Sequence, residues 1–280
     1  MSKLFIDIGG THLRSVLETR MGPSSEKHAS QGIGLFAYIE RQMAEHSDIS
    51  FIGISYAGQV DNGYILSSPN IDVDEHAIKT AVEQRYGIRL EIDNDLNCAA
   101  RAEAAYWNST HLASLYVGTG IGAAVIENAR LIRGSRNLSY EIGHIPYRNA
   151  PFVCGCGRSN CLELYASGSG MAKWLEYHGK GGKVDLNRFR YSENPFEQTI
   201  VQEFEAALMQ GAGTLVTLSN PQILVLGGGI IRENPYLVRL VKEKIEKFAL
   251  QGSVDGLRIV TSRLENGSME GAKLLEKMDG

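Results

Sequence analysis

Residues 112–126 read Leu112-Ala-Ser-Leu-Tyr-Val117, then Gly118-Thr119-Gly120, then Ile121-Gly122-Ala-Ala-Val-Ile126. Two apolar runs of strand length flank a glycine turn. The turn superficially matches the opening of a dinucleotide fingerprint. That motif needs a helix start next, whereas Ala123 to Ile126 continue as a strand, so the Rossmann context fails. The same order of strand, glycine turn and strand stands near the N-terminus: Lys3 to Ile8, Gly9-Gly10, Leu13 to Glu18. The repeated order hints at duplication, and the two copies share little identity. Two half-molecules with a cleft between them suit the length of 280 residues.

Working outward, apolar spacing alternates between strand and helix periods. Strands are expected at Ser50–Ser55, Leu90–Ile92, Ile223–Leu226 and Leu257–Val260, with a further short run at Arg130–Ile132. Helices are expected over Asp74–Tyr86, with Gly87 closing it, and through the alanines from Ala99 to Ala105. Others are expected from Pro195 to Leu218, over Pro235–Leu250 and over Gly271–Lys277. The class is α/β.

Composition is that of a globular chain: 43% hydrophobic, 21% charged, with 28 basic against 32 acidic residues for a net charge of −4. That balance argues against a general nucleic-acid coat. The apolar run Leu4-Phe5-Ile6 stops at Asp7, too short for a signal-peptide core, and Ile223–Ile231 is interrupted by three glycines. No nucleic-acid or membrane partner is expected, and the expected location is the cytoplasm.

Three of the four cysteines crowd into eight residues. His144, Cys154, Cys156 and Cys161 are spaced His-x9-Cys-x-Cys-x4-Cys, and three thiolates with one imidazole suit a closed tetrahedral zinc site. Four protein ligands leave no open position, so the ion is expected to be structural. The plain alternative is three unrelated buried cysteines. Cys98 reads as a small buried apolar side chain.

Asp7-Ile8-Gly9-Gly10-Thr11 places an acid at a strand end before two glycines and a hydroxyl. Backbone amides of such a turn can face phosphate, and Asp7 can hold Mg²⁺ directly or through water. Taken alone, an ordinary hairpin explains it as well. Gly118-Thr119-Gly120 is a second such turn, and Gly227-Gly228-Gly229 a third. No Gly-x4-Gly-Lys-Ser/Thr segment occurs, so a nucleotide would be surrounded without a P-loop. Asp93-Asn94-Asp95 follows a short strand and precedes a helix. A carboxylate there can take a proton from an attacking hydroxyl, while Asn and Asp are equally the usual helix caps. Glu141 and Glu163 flank the cysteine cluster, so whatever fixes His144 also fixes both acids. Carboxylates, an amide and an imidazole converging suit a polyhydroxyl ligand.

These segments together resemble the ROK family of sugar kinases and sugar-responsive repressors, within the actin-like ATPase superfamily. The matching motifs are Asp7-Ile-Gly-Gly-Thr11, Asp93-Asn-Asp-Leu-Asn-Cys-Ala-Ala100, Gly118-Thr-Gly-Ile-Gly122 and Glu141-Ile-Gly-His144. Cys154-Gly-Cys-Gly-Arg-Ser-Asn-Cys-Leu-Glu163, Leu226-Gly-Gly-Gly-Ile230 and Gly267-Ser-Met-Glu-Gly-Ala272 complete the set. The segment from Glu141 through Glu163 is specific; any single glycine turn is weak.

The resemblance implies two ribonuclease-H-like lobes with a cleft between them and a structural zinc loop in the second, with boundaries at 1–108 plus 267–280 and at 109–266. It implies ATP-dependent phosphorylation of a hexose or N-acetylhexosamine, usually at C6, with Mg²⁺, Zn²⁺ and a homodimer. Asp95 would be the general base. Asn70, in a Ser-Pro-Asn segment, with Asn94, Asp95 itself, Glu141, His144 and Glu163 would hold the sugar. Asp7, Gly9, Gly10, Thr11, Gly118, Thr119 and Gly120 would surround the phosphates and Mg²⁺, and Gly228 and Gly229 would approach the adenosine.

The sequence departs from the family pattern at Ser139-Tyr140, where Ala-Gly is common, at His12 for a frequent lysine, and at Tyr56-Ala57-Gly58 for a Pro-Gly segment. These departures bear on which sugar fits. Family repressors carry a helix-turn-helix ahead of the first turn, and the first strand here begins by Leu4, so the kinase is preferred. The alternative is a non-catalytic sugar-binding sensor.

Overall fold

The computed structural model describes residues 1–68, 71–182 and 184–277. In chain order the strands and helices are β1 (Ser2–Ile8), β2 (His12–Thr19), β3 (Gly22–Ala29), α1 (Leu35–Glu45), β4 (Ile49–Tyr56), β5 (Gln59–Asp61), β6 (Tyr64–Ser67), α2 (Ile78–Tyr86), β7 (Arg89–Asn94) and α3 (Asp95–Trp107). There follow β8 (Leu112–Val117), β9 (Ile121–Glu127), β10 (Arg130–Leu131), α4 (Glu163–Ala166), α5 (Gly168–Tyr177), α6 (Leu186–Phe189) and α7 (Pro195–Ser219). Last come β11 (Ile223–Gly227), α8 (Gly229–Glu233), α9 (Tyr236–Lys244), α10 (Gln251–Val254), β12 (Arg258–Thr261) and α11 (Gly267–Leu274).

The chain forms two compact units, and they repeat one plan. The first comprises Met1–Tyr106, Arg133–Ser139 and Leu264–Gly280, the second Trp107–Ile132 and Tyr140–Arg263. The first holds a five-stranded sheet of order β3-β2-β1-β4-β7, the second one of order β10-β9-β8-β11-β12. In each, the first strand pairs antiparallel with its hairpin partner and parallel with the fourth. The hint of duplication in the sequence thus has its counterpart in topology. The parallel strands are apolar on both faces because helices cover both. Leu4, Ile6 and Ile8 of β1 pack with Leu35 and Ile39 of α1 and with Ile78 and Val82 of α2. Phe5 faces the other way, onto Phe51, Cys98 and Met269. In the second unit Leu115, Val117, Leu224 and Leu226 share a core with Phe204, Leu208 and Leu215 of α7.

The segment 133–139, expected with the second lobe, packs in the first unit because Asn137 donates to the Val60 carbonyl and Arg133 pairs with Asp93. Helix α2 begins at Ile78 rather than Asp74, because the Asp74 carboxylate caps a different helix: it accepts from Phe36 N and Ala37 N of α1 at 3.1 and 2.9 Å. The expected Pro235–Leu250 helix ends at Lys244, whose φ of −121° leaves the helical region. Among the described residues no helix is long and apolar enough to cross a membrane.

Helix α11 lies so close to α3 that a Cβ at Gly271 would meet the Cys98 main chain. Neither backbone can yield without dragging its helix. Gly271→Ala is therefore expected to lower unfolding free energy by about 1–3 kcal/mol, read as a shifted denaturant midpoint at constant m.

Candidate active site

In the first unit the expected residues gather where β1 and β7 end. Asp7 is buried; Ser55 Oγ donates to its Oδ1 at 3.0 Å, and Arg14 Nη1 stands 3.6 Å from Oδ2. The Gly9 N–H donates to the His12 carbonyl at 2.9 Å, closing the β1–β2 turn, with Gly10 and Thr11 exposed at its tip. β7 pairs parallel with β4, which pairs parallel with β1, so the Asp93-Asn94-Asp95 segment follows the same sheet edge.

Asn94 caps α3: its side-chain oxygen accepts from Leu96 N at 2.9 Å, and its amide donates to the Gly58 carbonyl at 2.9 Å. The cap reading holds for this residue. Asp95 opens α3, partly buried, and its carboxylate accepts from its neighbour Leu96 N at 2.9 Å. Burial, with the Asp7 carboxylate nearby, pushes its carboxyl up to about 6. A carboxyl in that range is ionised at neutral pH yet basic enough to accept a proton.

In the second unit His144, Cys154, Cys156 and Cys161 converge, their ligand atoms all within 4.8 Å of one another. Cys154 Sγ is 3.6 Å from His144 Nδ1, and Cys156 Sγ is 3.4 Å from Cys161 Sγ. Ligands of a tetrahedral ion with Zn–S of ~2.3 Å stand roughly 3.5–3.8 Å apart, so donor types and spacing both fit zinc. The Cys154 N–H donates to the Arg158 carbonyl and Gly157 adopts φ 87°, which bends the loop back on itself. Arg158 Nη2 donates to the His144 carbonyl at 2.6 Å and ties the histidine turn to that loop. Burial pushes the Cys154 and Cys161 thiols up, while the Arg158 backbone amide pulls Cys156 down. Cys98 is fully buried in the first unit, far from this cluster in the chain.

Glu163 joins the zinc loop to the second glycine turn. Its Oε1 lies 3.4 Å from Cys154 Sγ, and its Oε2 accepts from Ile121 N at 3.3 Å. A side chain at Gly120 would meet this carboxylate. The Gly118 and Thr119 carbonyls accept from Gly168 N and Ser169 N, both at 2.9 Å. Glu141 is exposed, three residues before His144. Asn70 lies outside the described residues.

Gly118, Thr119 and Gly229 line a cavity of about 810 Å³, with Ser169, Asn187, Glu233 and Asn234 also in its walls. Gly228 adopts φ 92° and ψ 167°, a conformation essentially restricted to glycine, and a Cβ there would meet the Val117 backbone. Gly228→Ala is expected to cost about 1–3 kcal/mol of stability and to weaken nucleotide binding in the cavity beside it, measured by calorimetric titration.

The polar walls escaped the sequence reading: Asn187 sits on a short helix with no motif around it, and Glu233 lies a turn beyond the Gly227-Gly228-Gly229 motif, at the far end of α8. Arg133 and Asn137 escaped it too, since nothing in a polar stretch announces a partner on another strand.

Two units of one repeated five-stranded order, each with glycine turns at its strand ends and the second with a Cys₃His loop, define the two-lobe α/β fold of the actin-like ATPases. A sequence model of the ROK family matches residues 4–278, and the chain belongs to that family. It is 26% identical to the glucokinase of Halalkalibacterium halodurans, covering 98% of this chain and 94% of the relative. It is 27% identical to the xylose repressor of Caldicellulosiruptor bescii, covering 93% of this chain and 74% of that one. Among solved structures, the ROK hexokinase from Thermus thermophilus superposes with a TM-score of 0.81 at 26% identity, covering 98% of this chain and 97% of the other.

Proposed function

We propose that the protein transfers the γ-phosphoryl group of ATP to a hydroxyl of a hexose or N-acetylhexosamine, at C6, with Asp95 as general base. The observation that carries this reading is the partly buried Asp95 carboxyl, raised to about 6 beside Asp7 at the opening of α3. The similarity to a glucokinase and to a ROK hexokinase supports it.

Asp95 accepts the hydroxyl proton as the sugar oxygen bonds to the γ-phosphorus and the bond to the β-phosphate oxygen breaks, releasing ADP. The turns at Gly9, Gly10 and Thr11 in the first unit and at Gly118, Thr119 and Gly120 in the second would face phosphate oxygens. The Gly9 and Gly118 N–H groups are held by the His12 and Gly120 carbonyls, so the amides offered are those of Gly10, Thr11, Thr119 and Gly120. Gly228 and Gly229 border the room for adenosine. Glu141, His144 and Glu163, with Asn70 and the half-engaged amide of Asn94, are the sugar ligands in this reading. A hard cation takes carboxylate oxygens and keeps several waters, and Asp7, whose Oδ1 accepts from Ser55 Oγ and whose Oδ2 stands 3.6 Å from Arg14 Nη1, would supply such an oxygen. Mg²⁺ would supply charge neutralisation at the phosphates. Zinc would be structural, held by His144, Cys154, Cys156 and Cys161. A cytoplasmic homodimer accompanies the reading, and light scattering would check the dimer.

The test is ADP release from Mg·ATP against a panel of hexoses and N-acetylhexosamines. Release with one or two sugars is expected. No release with any of them, from folded and zinc-loaded protein, overturns the kinase and leaves a sugar-binding sensor.

A further inference from the structure

Asp93 is fully buried two residues before Asp95, yet no step above uses it. Its carboxylate is a junction. Oδ2 accepts from Arg133 Nη2 at 2.6 Å, and Oδ1 from Arg133 Nη1 at 3.2 Å, a two-pronged ion pair. Oδ1 also accepts from the Asn94 N–H at 2.9 Å, from Asn97 Nδ2 at 2.9 Å and from Asn137 Nδ2 at 3.1 Å. Asn137 in turn donates to the Val60 carbonyl at 2.7 Å and accepts from Asn97 Nδ2 and Arg133 Nη1 at 3.1 and 3.0 Å. Arg101 Nη2 adds a cation 3.8 Å from Oδ2.

Asp95 therefore lies between two anchored neighbours. The Asn94 peptide on one side and the Asn97 side chain, one turn into α3, on the other are both tied to the same carboxylate. The clamp on that carboxylate comes from the seven-residue loop Arg133–Ser139. A carboxylate two residues from the chemistry, buried and held by a fork, sets where the next carboxylate can point.

We infer that Arg133 and Asn137 are positioning residues for the reaction, acting through Asp93 to fix the β7–α3 turn from which Asp95 projects. This rests on the reading of Asp95 as general base. A displacement of the base by an ångström suffices for a ~10²-fold loss of rate, so Arg133→Ala is expected to lower kcat by that order while sugar Kd changes by less than about threefold. Arg133→Lys keeps the charge but loses the fork and should recover only part of kcat. Asn137→Gly removes the amide without strain, because Asn137 already sits at φ 55°.

The deciding measurement is a double-mutant cycle in kcat. In the Asp95→Asn background, Arg133→Ala and Asn137→Gly should each cost less than about twofold, since the group they position is gone. A purely structural ion pair would cost the same factor in both backgrounds and overturn the inference. So would unchanged kcat in both folded single variants. If Arg133→Ala does not fold, Asn137→Gly decides alone. Wild-type turnover in Asp95→Asn would instead remove the base itself and the inference with it, a result seen before any second change is made.

Discussion

Asp95→Asn lowers kcat by about 10²–10⁴-fold, the usual contribution of a positioned general base, and leaves sugar affinity largely intact. Asparagine keeps the oxygen that accepts from Leu96 N and loses only the negative charge and the ability to take a proton. The pH dependence carries a sign. Burial and Asp7 raise the carboxyl from 3.8 to about 6, so the base is lost by protonation as pH falls through that value. For the wild type, kcat/KM should drop about tenfold per pH unit below it. Stability runs the other way. A carboxyl raised on folding favours the folded state at low pH and loses that contribution as pH rises through its folded value. At neutral pH the ionised Asp95 is thus a cost. The rise from 3.8 to about 6 is roughly two units, or about 3 kcal/mol at ~1.4 kcal/mol each. Asp95→Asn should be as stable as the wild type or more so, up to that limit, near pH 7. An inactive variant that also melts earlier would mean that asparagine disturbs the turn and that the lost rate is not the lost base.

Removal of zinc is expected to be the largest single loss of stability. Stripping a structural ion belongs with the rare changes of on the order of 4–5 kcal/mol, which in a chain of this size lowers Tm by roughly 8–20 °C. Cys154 and Cys161 are buried and burial pushes their thiols up, so without an ion these two stay protonated, and weak S–H contacts stand where coordinate bonds would be. Because Glu163 contacts both Cys154 Sγ and Ile121 N, the loosened loop should also release the Gly118–Gly120 turn. Chelator-treated protein should therefore melt earlier and lose sugar and nucleotide affinity together, and restored zinc should recover both. Replacing Cys156 by serine should reproduce the effect and lose bound zinc; replacing Cys98, buried in the core of the first unit, should leave the zinc content unchanged. Activity lost at an unchanged Tm would make the cluster something other than a structural clamp.

What could be read in advance depended on where each signal is stored. The hairpin at residues 112–126 is legible because its information is local: two apolar runs and two glycines. The Asn194 cap on α7 and the left-handed Gly87 after α2 are local too. Helix α1 was not foreseen, because its cap is Asp74, distant in sequence, and its own preceding residue Gly34 offers no side chain. Strand β3, Gly-Pro-Ser-Ser-Glu-Lys-His-Ala, lacks alternation because it is an exposed edge strand. The metal cluster was legible from spacing alone, since few arrangements of four such residues have another use. The Asp93 junction was not, because a buried carboxylate's partner can come from anywhere in the chain and a polar loop carries no mark of it.

The discontinuous make-up of the first unit also sets a schedule. On the ribosome its sheet strands are made first, at roughly 5–20 residues per second. Yet Asp93 has no cation from the 133–139 loop until that loop has emerged, and the face of Phe5 and Phe51 stays open until Met269 arrives with α11. The second unit closes in between, its last segment ending at Arg263. The half begun first is finished last, so a chain truncated before α11 leaves the nascent N-terminal half with an open apolar face.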